Sequence, residues 1–285
     1  MHPLVINFTP TGMIPLKKNC PAVPITANEI VEDVLRAWEL GITCAHLHAR
    51  KDDGTPSSEA ADYAPILEGV RRHCPGLVIC ASLSGRTVSD PAARAEVLSL
   101  RPDMASLTLS SLNFAQSASI NAPETVRELA RRIDEAGATP ELEVFDLGMA
   151  NYLNYLIKKG WVKRPLYINI LLGNIAGAQL EPAHLAGVMQ GLPEDAWVAL
   201  GGLGQHQLDA HLVALGLGLG IRVGLEDNIH WNRGRSRTAT NLELLQRVHE
   251  LAERAERPLM TPEAFGALGF YNRHRSQNAA ENGNL

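Results

Sequence analysis

The sequence predicts a single α/β domain folded as a (β/α)8 barrel. Three observations predict it. Short β-branched or apolar runs alternate with longer amphipathic segments, eight such pairs fit within 285 residues, and no linker-like tract divides them. With 45% hydrophobic residues, a chain of this length can bury a sizeable core.

The expected strands, in order, are Leu4–Pro10, Ile42–Arg50, Leu77–Gly85, Met104–Ser111, Glu141–Gly148, Pro165–Gly173, Ala196–Gly204 and Ile221–Asn228, each with a helical segment after it. Several helices carry their own start and stop signals. Thr26 precedes ANEIVEDVLRAWELG with Glu29 at the capping-box distance, and Gly41 stops that helix. In APETVRELARRIDEAG, Pro123 and Glu124 fall in the first turn and Gly137 ends the segment. Residues 1–270 therefore form the catalytic barrel, and 271–285 form a polar tail that frays or contacts a neighbouring subunit.

Composition narrows the function classes. With 26 basic and 31 acidic residues the net charge is −5, which offers no basic field for nucleic acid or an anionic membrane and points to a small-molecule partner. The four cysteines form no CxxC pair, and two lie in apolar segments where a reduced thiol packs as a small hydrophobe. No basic-then-apolar leader opens the chain and no apolar run approaches a membrane span, so a soluble cytoplasmic protein is expected.

Residues i and i+2 of a barrel strand share a destination, so strand phase sorts inward from outward side chains. In the second strand Cys44, His46, His48 and Arg50 share one phase. In the third it is Cys80, Ser82 and Ser84, in the fourth Ser106, Thr108 and Ser110, in the fifth Glu141 and Glu143, and in the eighth Arg222, Gly224 and Glu226. Polar residues gathered toward the carboxyl ends of otherwise buried strands mark the face where barrel enzymes keep their sites.

Two histidines at i and i+2 have Cα atoms roughly 6.6 Å apart on one face, close enough to share an ion. The eighth strand closes the barrel beside the first, roughly 9.6 Å from the second along the wall, which makes Glu226 the best third ligand. His46, His48 and Glu226 together suit a catalytic Zn2+, or another divalent transition metal, with open coordination positions. Glu143 reads as a base, a hydrogen-bond partner, or a carboxyl that is protonated or paired with Arg222. Arg222 and Asp227 can form an ion pair that holds a carboxylate substrate and relays a proton.

The motifs TPTGMIP, HLHARKDDG, SLTLSSLNF, PELEVFDLGM and RVGLEDN, in this order and spacing over nearly the whole chain, resemble the β-keto acid cleavage enzymes. The type activity of that family is 3-keto-5-aminohexanoate cleavage in lysine fermentation. The resemblance implies a zinc-dependent (β/α)8 barrel that takes a β-keto acid and the cosubstrate acetyl-CoA to acetoacetate and a new acyl-CoA by a Claisen/retro-Claisen route. It assigns the metal to His46, His48 and Glu226, and generation of the nucleophile to Ser82 with the Arg222/Asp227 pair. It assigns substrate binding to Ser82, Gly85, Ser106 and Thr108, and an active-site position to Glu143. By family analogy the chain works as a homo-oligomer, a tetramer.

Two departures bear on substrate and cosubstrate. The lysine-fermenting branch needs an acid near the first βα loop to meet the substrate amine, yet TPTGMIPLKK presents Ile14 and has no acid before Glu29, which argues against a cationic amino substrate. Lys17 and Lys18 read as a solvated turn. GGLGQHQ on the seventh strand also differs from the commoner family pattern. Competing readings are a metal-dependent aldolase or lyase acting without CoA, and a non-catalytic barrel that binds metal or a small acid. An amidohydrolase wants its HxH on the first strand and further histidines on the fifth and sixth, which contain none here.

Overall fold

The computed structural model describes residues 2–275. Eight parallel strands close a barrel: β1 (Ile6–Phe8), β2 (Cys44–Leu47), β3 (Val78–Ala81), β4 (Met104–Thr108), β5 (Thr139–Val144), β6 (Tyr167–Leu172), β7 (Trp197–Gly202) and β8 (Gly220–Val223). Neighbours in the wall are neighbours in sequence, and β1 closes the ring between β8 and β2. The main outer helices are α1 (Ala27–Leu40), α2 (Ala60–His73), the one-turn α3 (Pro91–Arg94), α4 (Pro123–Glu135), α5 (Leu147–Lys158), α6 (Pro182–Gln190), α7 (Gln207–Leu217) and α8 (Asn241–Arg254). Among the described residues no helix is long and apolar enough to cross a membrane.

The local signals act where they were read. Thr26 caps α1 through a capping box with Glu29, and Gly41, at φ 101°, takes the left-handed exit that a side chain disfavours. The aliphatic phase of the strands meets the helices, and residues such as Ile6, Leu47, Ile79, Leu107 and Leu142 are fully buried in one continuous core.

Several strand ends differ from the sequence expectation. β2 stops at Leu47, so His48 stands just beyond it, and Ala49–Arg50 pair with Pro56–Ser57 in a small hairpin. β5 runs Thr139–Val144 and not Glu141–Gly148, because the Asp146 side chain accepts from the Met149 amide at 2.8 Å and starts α5 at Leu147. β8 stops at Val223 and not at Asn228. Gly224 lies so close to β1 that a Cβ there would meet the Thr9 carbonyl oxygen at 2.0 Å, and the chain then turns through Glu226 and Asp227.

The lower end of the barrel is plugged by a short helix, α9 (Pro262–Phe265), and the turn after it. Phe265 and Phe270 stack at 4.2 Å and meet Tyr167 edge-on, over Val5, Cys44, Val78 and Met104. Of the tail expected over 271–285, residues 276–285 lie outside the described residues. Residues 271–275 dock beneath the barrel: Asn272 is buried and donates to the Pro102 carbonyl at 2.8 Å, and Arg275 pairs with Asp103 at 2.8 Å.

Candidate active site at the carboxyl ends of the strands

With the bottom sealed, the polar inward phase opens upward into a cavity of about 650 Å3, mouth included, at the carboxyl ends of the strands. Its floor holds His46 from β2, His48 just after it, and Glu226 from the turn after β8. The two imidazole Nε2 atoms are 3.2 Å apart, and Glu226 Oε1 lies 3.2 Å from His48 Nε2 and 3.8 Å from His46 Nε2. His46 Nδ1 donates to Glu141 Oε2 at 2.5 Å, which points its Nε2 at the other two groups.

These donors fit a divalent cation. Corners of a tetrahedron at zinc–nitrogen distances lie roughly 3.3 Å apart. The second carboxylate oxygen of Glu226 is buried and lacks a hydrogen-bond partner among the described residues. Gly12 of the TPTGMIP loop passes so close that a Cβ would sit 2.6 Å from Glu226 Cγ, so the loop clamps that carboxylate from above. A second group, His46, Cys80 and Glu141, also comes within ligand distance, but it uses the other ring nitrogen of His46 and its Glu141 oxygens are already taken.

Glu141 is the hub that strand phase exposed without assigning a role. Fully buried, it accepts from His46 Nδ1, from Asn7 Nδ2 on β1 and from Asn169 Nδ2 on β6, each at 2.5 Å, and from Cys80 Sγ at 2.9 Å. Burial opposes its ionisation, but the His46 and Arg222 charges win and hold it at about 2. The reciprocal effect appears at His46: burial lowers it, and the Glu141 and Glu226 charges more than offset that, to about 9, so a cation that takes Nε2 must displace its proton. His48 lacks the Glu141 partner, and burial pulls it down. The sequence signal for Glu141 was its shared phase with Glu143. Asn7 carried no such alternation, since β1 is only three residues long.

Arg222 on β8 is the buried cation that balances the acids. Its Nη2 donates to Glu226 Oε1 at 2.8 Å and its Nε to Asp227 Oδ2 at 3.0 Å, while Nη1 stands 3.9 Å from both Glu141 and Glu143. The carboxyl of Asp227 is pushed up to about 6, first by burial and then by Glu226, against the pull of Arg222. Glu226 goes the other way, held well below the usual carboxylate range by His48, Arg222 and His46 in spite of burial.

The remaining sequence-predicted residues separate into two groups. Ser82, Thr108, Glu143 and Asp227 line the cavity with the two histidines, Arg222 and Glu226, and Thr108 Oγ1 donates to Glu143 Oε2 at 2.6 Å. Ser106 and Gly85 are buried behind the wall. The Ser106 hydroxyl accepts from the Leu83 amide at 3.0 Å, and a Cβ on Gly85 would meet Arg94 at 2.8 Å and the Ile120 carbonyl at 2.9 Å. Lys17 pairs with Glu29 at 2.8 Å at the start of α1, apart from the cavity wall. Ile14 stands on the rim, 55% exposed, with Met13 beside it, and Arg86 and Phe114 form the outer wall, where periodicity gave no signal.

Comparison with known proteins adds the following. A family model described as beta-keto acid cleavage enzyme matches residues 3–268. The chain is 37% identical over 264 residues to 3-oxoadipate:acetyl-CoA acetyltransferase of Cupriavidus necator, covering 91% of this chain and 92% of that protein. It is 31% identical to 3-keto-5-aminohexanoate cleavage enzyme of Fusobacterium nucleatum, covering 92% and 96% respectively. Among solved structures, apo ObcA superposes with a TM-score of 0.74 at 21% identity, covering 88% of this chain and 66% of that one. That likeness concerns the barrel fold.

Proposed function

The chain belongs to the β-keto acid cleavage enzyme family, and from that premise we propose that it is an acyltransferase that converts a β-keto acid and acetyl-CoA into acetoacetate and a new acyl-CoA. The observation that carries the reading is the meeting, in one buried floor, of three convergent donor atoms with the Arg222–Asp227 pair. His46 Nε2, His48 Nε2 and Glu226 are the residues that hold a divalent ion, Zn2+ by preference. When bound, such an ion supplies Lewis acidity toward an enolate and its oxygens.

The chain's own groups handle protons and position. Arg222 holds one carboxylate oxygen of Asp227, and Asp227 takes the C2 proton of the β-keto acid. The resulting enolate attacks the acetyl carbonyl of acetyl-CoA and expels the CoA thiolate. That thiolate adds to the other keto carbonyl, the bond between it and C2 breaks, and the departing acetoacetate enolate recovers the proton from Asp227. Each half-reaction forms one bond and breaks one, so no acyl-enzyme is needed.

Glu143, fixed by Thr108, and Ser82, whose carbonyl is held by the Tyr63 hydroxyl at 3.1 Å, orient the acids and carbonyls above the floor. Glu141 keeps His46 in the tautomer that offers Nε2 to the site. Gly85 and Ser106 set the wall from behind, and the missing side chain of Gly85 makes room for Arg94 and the Ile120 carbonyl. Residues 1–270 constitute the catalytic unit, and the protein works as a cytoplasmic homo-oligomer, a tetramer by family analogy, whose size is read by light scattering.

The test is one assay: purified protein, a panel of β-keto acids and acetyl-CoA, with acetoacetate detected by mass. Turnover that needs no acetyl-CoA identifies an aldolase or lyase instead. Activity that survives His46→Ala or His48→Ala in metal-free buffer sinks the mechanism.

A further inference from the structure

One cation at the mouth of the cavity is unused by this chemistry. Arg86 follows Gly85 at the carboxyl end of β3, and its guanidinium lies 3.7 Å over the ring of Phe114. Phe114 is itself braced edge-on against Phe145 at 6.1 Å, and all three residues line the cavity that His46, His48 and Glu226 floor. Stacking fixes the plane of a guanidinium and leaves its edge donors free for a planar acceptor such as a carboxylate.

Nothing among the described residues takes up those donors. Arg86 makes no ion pair, and its Nε is buried without a hydrogen-bond partner. Arg222, the other cation of the cavity, is already engaged by Glu226 and Asp227. A buried donor left unmade is costly until a ligand satisfies it. Ile14 and Met13, which line the same cavity, are apolar, so that stretch of the wall offers no acid to an ammonium group.

We propose that Arg86 binds a second carboxylate at the far end of the β-keto acid, so that the preferred substrate is a β-keto dicarboxylic acid. This deepens the β-keto acid reading of the same cavity and rests on it. The keto end reaches the His46, His48 and Glu226 floor, the middle of the chain crosses the apolar wall, and the distal carboxylate takes the Arg86 edge. CoA phosphates share the same anionic chemistry, so the experiment must separate the two sources.

The experiment compares a linear 3-oxo dicarboxylic acid with the 3-oxo monocarboxylic acid of equal carbon number, each with acetyl-CoA, in the wild-type protein, Arg86→Gln and Arg86→Lys. The wild type should prefer the diacid. A hydrogen bond to a charged group corresponds to roughly 10- to 150-fold, and the diacid-to-monoacid ratio of kcat/KM should fall by about that factor in Arg86→Gln, with partial recovery in Arg86→Lys. A wild type without diacid preference overturns the proposal. So does an Arg86→Gln loss that is equal for both acids or that resides in the KM for acetyl-CoA, since that assigns Arg86 to a CoA phosphate. Failure of every β-keto acid to turn over defeats the reaction reading, and the subsite is then decided by melting shifts. A saturated dicarboxylate that stabilises the wild type more than Arg86→Gln upholds it, and equal shifts overturn it.

Discussion

Replacing Glu141 by glutamine keeps the size of the side chain and removes the charge at the centre of the barrel. Four donors end on its two oxygens: His46, Asn7 and Asn169 at 2.5 Å and Cys80 at 2.9 Å. A glutamine amide can still accept from the two asparagines through its oxygen. Its NH2 must then face His46 Nδ1 and Cys80, donor against donor. The cheapest repair is a change of tautomer at His46, which makes Nδ1 the acceptor and puts the proton on Nε2. That nitrogen is the one that faces His48 and Glu226, so the donor set loses a lone pair. Hydrogen bonds to a charged group are worth about 1.5–3 kcal/mol, and loss of the partner behind a ligating histidine typically weakens metal affinity by about 10- to 100-fold. The two figures agree, since tenfold is about 1.4 kcal/mol. The assay is a Zn2+ titration against a competing chelator, on wild type and Glu141→Gln, with near-ultraviolet circular dichroism to establish that the variant is folded. A folded Glu141→Gln protein that binds zinc as tightly as the wild type refutes the reasoning.

Three further outcomes follow from other parts of the molecule. Gly12→Ala drives a methyl to 2.6 Å from Glu226 Cγ, well inside the roughly 3.5–4.0 Å of carbon–carbon contact. The carboxylate must retreat by about 1 Å, a misplacement that costs about 100-fold in kcat/KM, whereas full activity with an unchanged melting temperature shows that the clamp is unnecessary. His211 is fully buried, donates from Nε2 to the Arg222 carbonyl at 3.1 Å, and is held by burial at about 4, below its ordinary 6.5. Between those two values the unfolded chain binds the extra proton, so stability falls as pH drops from about 6.5 to about 4, by roughly 3 kcal/mol in all. Denaturant melts across that window should show a shallower acid slope in His211→Gln, and an identical slope removes His211 as the cause. Thr26→Ala deletes one half of the α1 capping box and should cost about 1 kcal/mol, or about 2 °C in melting temperature, with little change in kcat/KM. A variant as stable as the wild type would mean that Glu29 caps the helix unaided.

How much of the site was legible can be judged residue by residue. The inward phase identified His46, Glu143 and Arg222, because side chains alternate across a strand whatever the strand packs against; His48 and Glu226 share that phase in the sequence but line the cavity from just beyond the ends of β2 and β8. Closure of eight parallel units leaves only β1 between β8 and β2, which brings Glu226 toward the histidines. Capping signals at Thr26, Gly41 and Pro123 worked for the same reason: each depends on atoms within a few residues.

Tertiary structure alone decided the rest. The strand phase placed Glu141 inside, but only the stagger of the closed sheet set its carboxylate between Asn7, His46, Cys80 and Asn169, which come from four other strands. Close approach of Gly224 to Thr9 ended β8 early and turned Asp227 back onto Arg222. Ser106 shares its phase with Thr108 yet spends its hydroxyl on the Leu83 amide. Arg86, Phe114 and Gly12 sit in loops, where no period exists, and their partners are fixed by how separate loops meet above the barrel. Period and closure, both local or topological rules, are written in the chain; the distances that turn inward residues into a site arise only when the whole sheet has closed.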